Sequence, residues 1–208
     1  NEGRSLTFAY AMSERGNVVA VGGISYDKDG RYSYDRTDHG RTATKGRNAG
    51  AVTVWEQTGS TWQRRGNPII GHQQGENTRT SGTPLWKGEE LGSCVALNVT
   101  GNILAITSRY GDPHPDNLPE GQVDNDRQSA PDYRGAMKVF EYDGTDWQQK
   151  GSNTIVTPHP EYTVAHGGVN AMGGEDQKLQ ISSDGLTIVV SDPYYTHGYA
   201  GGVGGIYT

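Results

Sequence analysis

Small and bulky apolar residues alternate with polar ones in short runs along this chain, and the runs come back. Gly50-Ala-Val-Thr-Val-Trp-Glu-Gln-Thr-Gly-Ser-Thr-Trp-Gln-Arg-Arg-Gly66 returns as Gly135-Ala-Met-Lys-Val-Phe-Glu-Tyr-Asp-Gly-Thr-Asp-Trp-Gln-Gln-Lys-Gly151, 85 residues later, with 8 of 17 positions identical. Each copy reads as a strand of period two, a turn at Thr58-Gly59 or Asp143-Gly144, and a second strand opening on Trp62 or Trp147. That is the signature of a β-hairpin. The same 85-residue offset relates Ala11, Gly16, Asn17 and Ala20 to Ala96, Gly101, Asn102 and Ala105, which mark a second hairpin upstream of the first. A third start, Leu179 to Val190, places Gly185 84 residues after Gly101.

The unit is therefore two hairpins separated by a long connection. Four short antiparallel strands repeated along a chain predict an all-β architecture of β-propeller blades, in which each small sheet is buried by its neighbours. The period divides the chain into blade 1 (residues 1–71), blade 2 (72–156) and an incomplete blade 3 (157–208). The connections 23–49 and 108–134 are both 27 residues long but share almost no identity, so each has a fixed place and a free sequence. Connections of that length are usually functional or disordered, which makes them candidate contact surfaces. Gly202 to Tyr207 matches Gly135 to Phe140, so blade 3 lacks its outermost strand. A strand of the type 61–70 or 146–155, from further along a longer chain or from a neighbouring molecule, is expected to pair there, because an open edge invites strand addition.

An apolar content of 32%, 31 glycines and a mean hydropathy of −0.73 would suit a disordered chain. The periodic Val, Ile, Trp and Tyr argue otherwise: the apolar residues sit in the strands and the polar surplus lies in the connections. A formal charge of −6 with mixed signs offers no groove for nucleic acid. No run of 18 apolar residues is present to span a membrane, and the first residues lack the apolar segment of a signal peptide. The single cysteine, Cys94, falls where Ala9 stands in the first unit and reads as a small strand residue.

Candidate chemistry is sparse. Asp27, Asp29 and Asp35, on a loop turned by Gly30 with Asp38 beyond, aim several hard oxygens at one centre and are the best calcium candidate. Lys28 intrudes on that motif, and the second unit has His114 and Pro115 in place of Asp29 and Gly30. The six histidines lack zinc-ligand spacing, and no nucleophile elbow, P-loop or His-Glu-x-x-His motif occurs. The chain reads as non-enzymatic. Trp55, Trp62, Phe140 and Trp147 recur with the unit and are expected to pack between blades. Trp86, Tyr194, Tyr195 and Tyr199 do not recur and are candidate exposed contacts for a sugar or a subunit. Asn98-Val99-Thr100 is a glycosylation sequon beside the Gly101 turn, where its side chain is expected to reach solvent.

The pattern "Ala-x-Leu/Ile-x-x-x-Gly-Asn-x-x-Ala" followed by "Gly-Ala/Val-x-x-Val/Ile-aromatic-x-x-x-x-Gly-x-x-Trp-Gln-x-x-Gly" resembles FG-GAP-like and integrin-type β-propeller repeats. It looks most like those of extracellular surface proteins of algae, protists and bacteria that carry a Trp-x-x-x-Gly closing strand. The resemblance covers nearly the whole chain apart from the long connections. It implies an extracellular structural or adhesive module, a segment of a surface assembly or filament whose partners are like subunits, other extracellular proteins or glycans. Two alternatives follow from the same fold: a calcium-dependent ligand- or glycan-binding propeller, and an enzyme acting on carbohydrate in a central funnel.

Overall fold

The computed structural model describes residues 8–26, 49–71, 90–108, 136–151, 155–156, 178–192 and 205–207. Among them the fold is all-β, with three antiparallel sheets in chain order, none of them closed. The first sheet holds β1 (Phe8–Met12), β2 (Val18–Gly23), β3 (Ala51–Thr58), β4 (Thr61–Arg64) and β5 (Ile69–Ile70). Strands β1 to β4 lie side by side in sequence order, and β5 pairs with the start of β3. Because β4 pairs with the far end of β3, β4 and β5 together form one outer strand interrupted at residues 65–68.

The second sheet repeats this plan with β6 (Leu91–Leu97), β7 (Ile103–Ser108), β8 (Ala136–Tyr142), β9 (Trp147–Gln149) and β10 (Ile155–Val156). The third contains β11 (Leu179–Ile181), β12 (Ile188–Asp192) and β13 (Gly205–Tyr207). Val190 opposes Tyr207, whereas Ile106, its counterpart in the second sheet, opposes Lys138. Tyr207 therefore takes the place of Lys138, two residues short of the Phe140 place that its sequence match predicts.

One turn is built three times. The backbone N–H groups of Ser13, Asn98 and Ser182 donate to the carbonyls of Val18, Ile103 and Thr187 at 2.8, 3.1 and 2.8 Å. The side-chain oxygens of the same three residues accept the N–H of Val18, Ile103 and Thr187 at 3.1, 3.0 and 2.9 Å. Gly16, Gly101 and Gly185 close the turn with φ of 74°, 70° and 77°, a conformation that costs an L side chain about 1–2 kcal/mol.

The sheets stack on their faces. Paired residues share a side, so β6 to β9 turn Val95, Leu97, Leu104, Ile106, Phe140 and Trp147 one way, and β2 and β3 turn Val18, Ala20, Val52 and Val54 the other. These two sets meet in one buried cluster, with Leu91 beside them. The third sheet repeats the relation, with Val190, Leu179 and Ile188 packed around Met137. The turns interlock in the same sense. A Cβ on Gly101 would stand 2.6 Å from Val18 Cβ, and one on Gly185 would stand 2.8 Å from Ile103 Cγ1, whose residue is the counterpart of Val18. Around Gly16 nothing lies within 4 Å.

A pair of alanine substitutions tests this stacking. Gly16→Ala is expected to lower stability by about 1 kcal/mol, from backbone strain alone. Gly101→Ala should lose about 1–3 kcal/mol more, because Val18 is fully buried and has nowhere to move. Urea unfolding of both variants checks this, and equal losses would refute the interlock.

Candidate functional site

Several residues converge where the second sheet rests on the first. Arg65 stands in the break of the outer strand, held by its N–H donating to the Val54 carbonyl at 2.8 Å. It is buried, which is unusual for an arginine and calls for partners. One amino group pairs with Glu56 at 2.9 Å and the other donates to Asn102 Oδ1 of the second sheet at 2.6 Å. The guanidinium lies 4.2 Å from the centre of the Tyr142 ring, a cation–π contact. Only its Nε, among the described buried side-chain atoms, has no hydrogen-bond partner.

Trp147 completes the joint. Its indole Nε1 donates to the Arg65 carbonyl at 2.8 Å, and its ring tilts against Tyr142 with centroids 5.4 Å apart. Gly66, at φ 75°, leaves room for the indole: a Cβ there would stand 2.9 Å from Trp147 Cδ1. Asp146 accepts from Asn67 twice, from its backbone N at 2.8 Å and its Nδ2 at 2.7 Å. These two bonds, with a third from the Trp147 N–H at 2.9 Å, hold the Asp146 carboxyl below the usual carboxylate range.

A lowered folded pKa stabilises the fold above the unfolded value of about 3.9, and that stabilisation is lost as pH falls through the folded value. Asp146→Asn is therefore expected to lower the melting temperature at pH 7, and the gap should close only as pH falls through the lowered folded value, below which both side chains are neutral. A gap that persists unchanged at low pH would show that the charge of Asp146 has no part in the joint.

The equivalent ion pair in the second sheet is Glu141–Lys150 at 2.7 Å, with both side chains about half exposed. The recurrence of Glu56 and Glu141, each with a cation nine residues on, was the sequence signal for this pair, hidden by the change from Arg to Lys. Cys94 makes no disulfide. Burial pushes its thiol up, partly offset by its hydrogen bond with Thr107 and by the nearby Lys178 charge.

The recurring aromatics divide between two environments. Phe140 and Trp147 are buried at 8% and 7% exposure, together with Val95 at 7% and Leu97 at 9%. Their first-sheet counterparts Trp55, Trp62, Tyr10 and Met12 are open at 38%, 44%, 79% and 61%. The expectation of packing holds for the second sheet. In the first sheet the same four places are exposed.

Asn98 does not reach solvent as its place beside the turn suggested. Its side chain is buried, and Oδ1 accepts the N–H groups of Asn102 and Ile103 at 2.9 and 3.0 Å. It is the turn acceptor that Ser13 and Ser182 supply in the other units, and the Ser-Asn-Ser series was the signal for that role. The calcium candidates Asp27, Asp29 and Asp35 and the aromatics Trp86, Tyr194, Tyr195 and Tyr199 lie outside the described residues. Among the described residues no cluster of metal-ligating side chains is present, and no helix is long and apolar enough to cross a membrane. No protein-family model, curated protein or solved structure matches the chain.

Proposed function

We propose that this chain is a segment of a non-catalytic extracellular β-propeller of the FG-GAP-like type, serving as a structural or adhesive module within a larger surface assembly or filament. The observation that carries the reading is the repeated stacking relation: Gly101 closes on Val18, and Gly185 closes on Ile103. A chain that applies one sheet-to-sheet relation again and again builds a regular array, and such an array of small four-stranded sheets supports the propeller reading. Its polar content then belongs to connections and rims, and its work is presentation and contact. The extracellular setting and the partners, like subunits or glycans, rest on the resemblance of the repeat.

Electron microscopy of the natural gene product tests this. A ring of stacked four-stranded units within an ordered assembly is the expected image. An open, unclosed stack, or isolated particles with no neighbour at any connection, would overturn it.

A further inference from the structure

We propose that the joint between the second and third sheets is an opening joint, at which the hairpin of β11 and β12 parts from the second sheet while the first and second sheets stay clasped. One pair of residues sets the difference: Arg65 with Asn102 at the first joint, Lys150 with Leu186 at the second. The proposal rests on the stacking of the described sheets and not on the assembly reading above.

The two joints share their construction. Gly185 closes on Ile103 as Gly101 closes on Val18, so residue 186 comes to the second sheet as residue 102 comes to the first. The break in the outer strand is repeated too, since the Lys150 N–H donates to the Val139 carbonyl at 2.7 Å as that of Arg65 donates to the Val54 carbonyl at 2.8 Å. Even the acid is kept: Glu141 holds Lys150 as Glu56 holds Arg65. The clasp is not. A guanidinium carries its N–H groups in a rigid fork, so Arg65 pairs with Glu56 through one amino group and still donates to Asn102 of the next sheet through the other. The compact ammonium of Lys150 is turned to Glu141 at 2.7 Å and has no fork to extend, and a leucine side chain accepts no hydrogen bond. Leu186 instead stands 84% exposed.

Without a clasp, the second joint is held by little else among the described residues. Val190 and Met137 are buried there with Leu179 and Ile188 beside them, against the large cluster that fills the first joint. Across it the Val99 N–H donates to the Ser183 carbonyl at 3.4 Å, longer than the ordinary range of such bonds. Three residue pairs join β11 to β12, and a hairpin of that size is marginal in water once its packed face is bare. Parting of the joint therefore melts the hairpin and uncovers Met137 and Val190. Openings of this kind cost less than global unfolding and give the chain a second, locally open state.

Native-state hydrogen exchange of the 208-residue chain tests the proposal. Amides of β11 and β12 should exchange well ahead of those of β2, β3, β7 and β8, at urea concentrations too low to unfold the chain. Grafting the clasp with Lys150→Arg/Leu186→Asn should slow exchange in β11 and β12 by about fivefold, while each substitution alone should change it by less than about twofold. The reverse graft, Arg65→Lys/Asn102→Leu, should speed exchange in β2 and β3 by about fivefold and leave β11 and β12 as they were. A hairpin that exchanges early merely because it is short would ignore the first graft, and that result would overturn the proposal. So would equal exchange in all three sheets of the parent chain, or a double variant that slows every sheet alike.

Discussion

Trp147→Ala is expected to lower stability by about 3–5 kcal/mol, and Trp62→Ala by less than about 1 kcal/mol. The two tryptophans occupy the same place in the repeat, open the same strand and precede the same Gln. They differ in what lies over them. Trp147 fills the joint between sheets, and its truncation removes the indole from Gly66 and Tyr142, strands the Arg65 carbonyl and leaves a cavity. Trp62 is 44% exposed, so its truncation removes less buried surface and opens no joint between sheets. Against a total stability of roughly 5–15 kcal/mol, the first loss brings the chain near unfolding. Urea denaturation followed by far-ultraviolet circular dichroism measures both. Trp147→Phe should fall between them, keeping most of the packing and losing the hydrogen bond, for about 1–2 kcal/mol. Equal losses at the two tryptophans would mean that the joint carries no special load.

The second large effect is at Arg65. Arg65→Ala should cost about 2–3 kcal/mol, from the charged hydrogen bonds to Glu56 and Asn102 and the stacking on Tyr142. The remaining partners soften the loss, because Glu56 is 38% exposed and can turn to water. Lys150→Ala, which breaks the matching but half-exposed pair, should change stability by no more than about 1 kcal/mol. A double-mutant cycle between Arg65 and Asn102 isolates the contact between sheets, and a coupling of about 1 kcal/mol is expected. No measurable coupling would confine Arg65 to the first sheet.

These contrasts mark where the sequence stops being legible. Strands, turns and the repeat were readable because each is local: alternation marks the strands, and Gly16, Gly59, Gly101, Gly144 and Gly185 all sit at positive φ where the hairpins turn. Burial is different, being a relation between units. Trp55 and Phe140 look alike within their own segments, yet one faces a sheet and the other faces solvent. The break at residues 65–68 was equally silent, because nothing in Arg65 or Lys150 says that one cation is enclosed and the other is not. Asn98 misled for a related reason. A sequon is a three-residue pattern, while the role of this residue is visible only beside Ser13 and Ser182.

The anchoring of the connections has a consequence for engineering. Gly50 donates to the carbonyl of Tyr26 at 3.1 Å, so the segment 27–49 leaves and re-enters the first sheet at one point. Gly71 and Leu91 are likewise neighbours: a Cβ on Gly71 would stand 2.9 Å from Leu91 Cβ, and the Leu91 N–H donates to the Ala49 carbonyl at 3.0 Å. Closing a loop between fixed neighbours costs only about 0.6 kcal/mol more for each doubling of its length. Foreign peptides, tags or whole domains spliced into either segment are thus expected to leave the register of the sheets beneath unchanged, so the chain can be displayed or lengthened at those two gates.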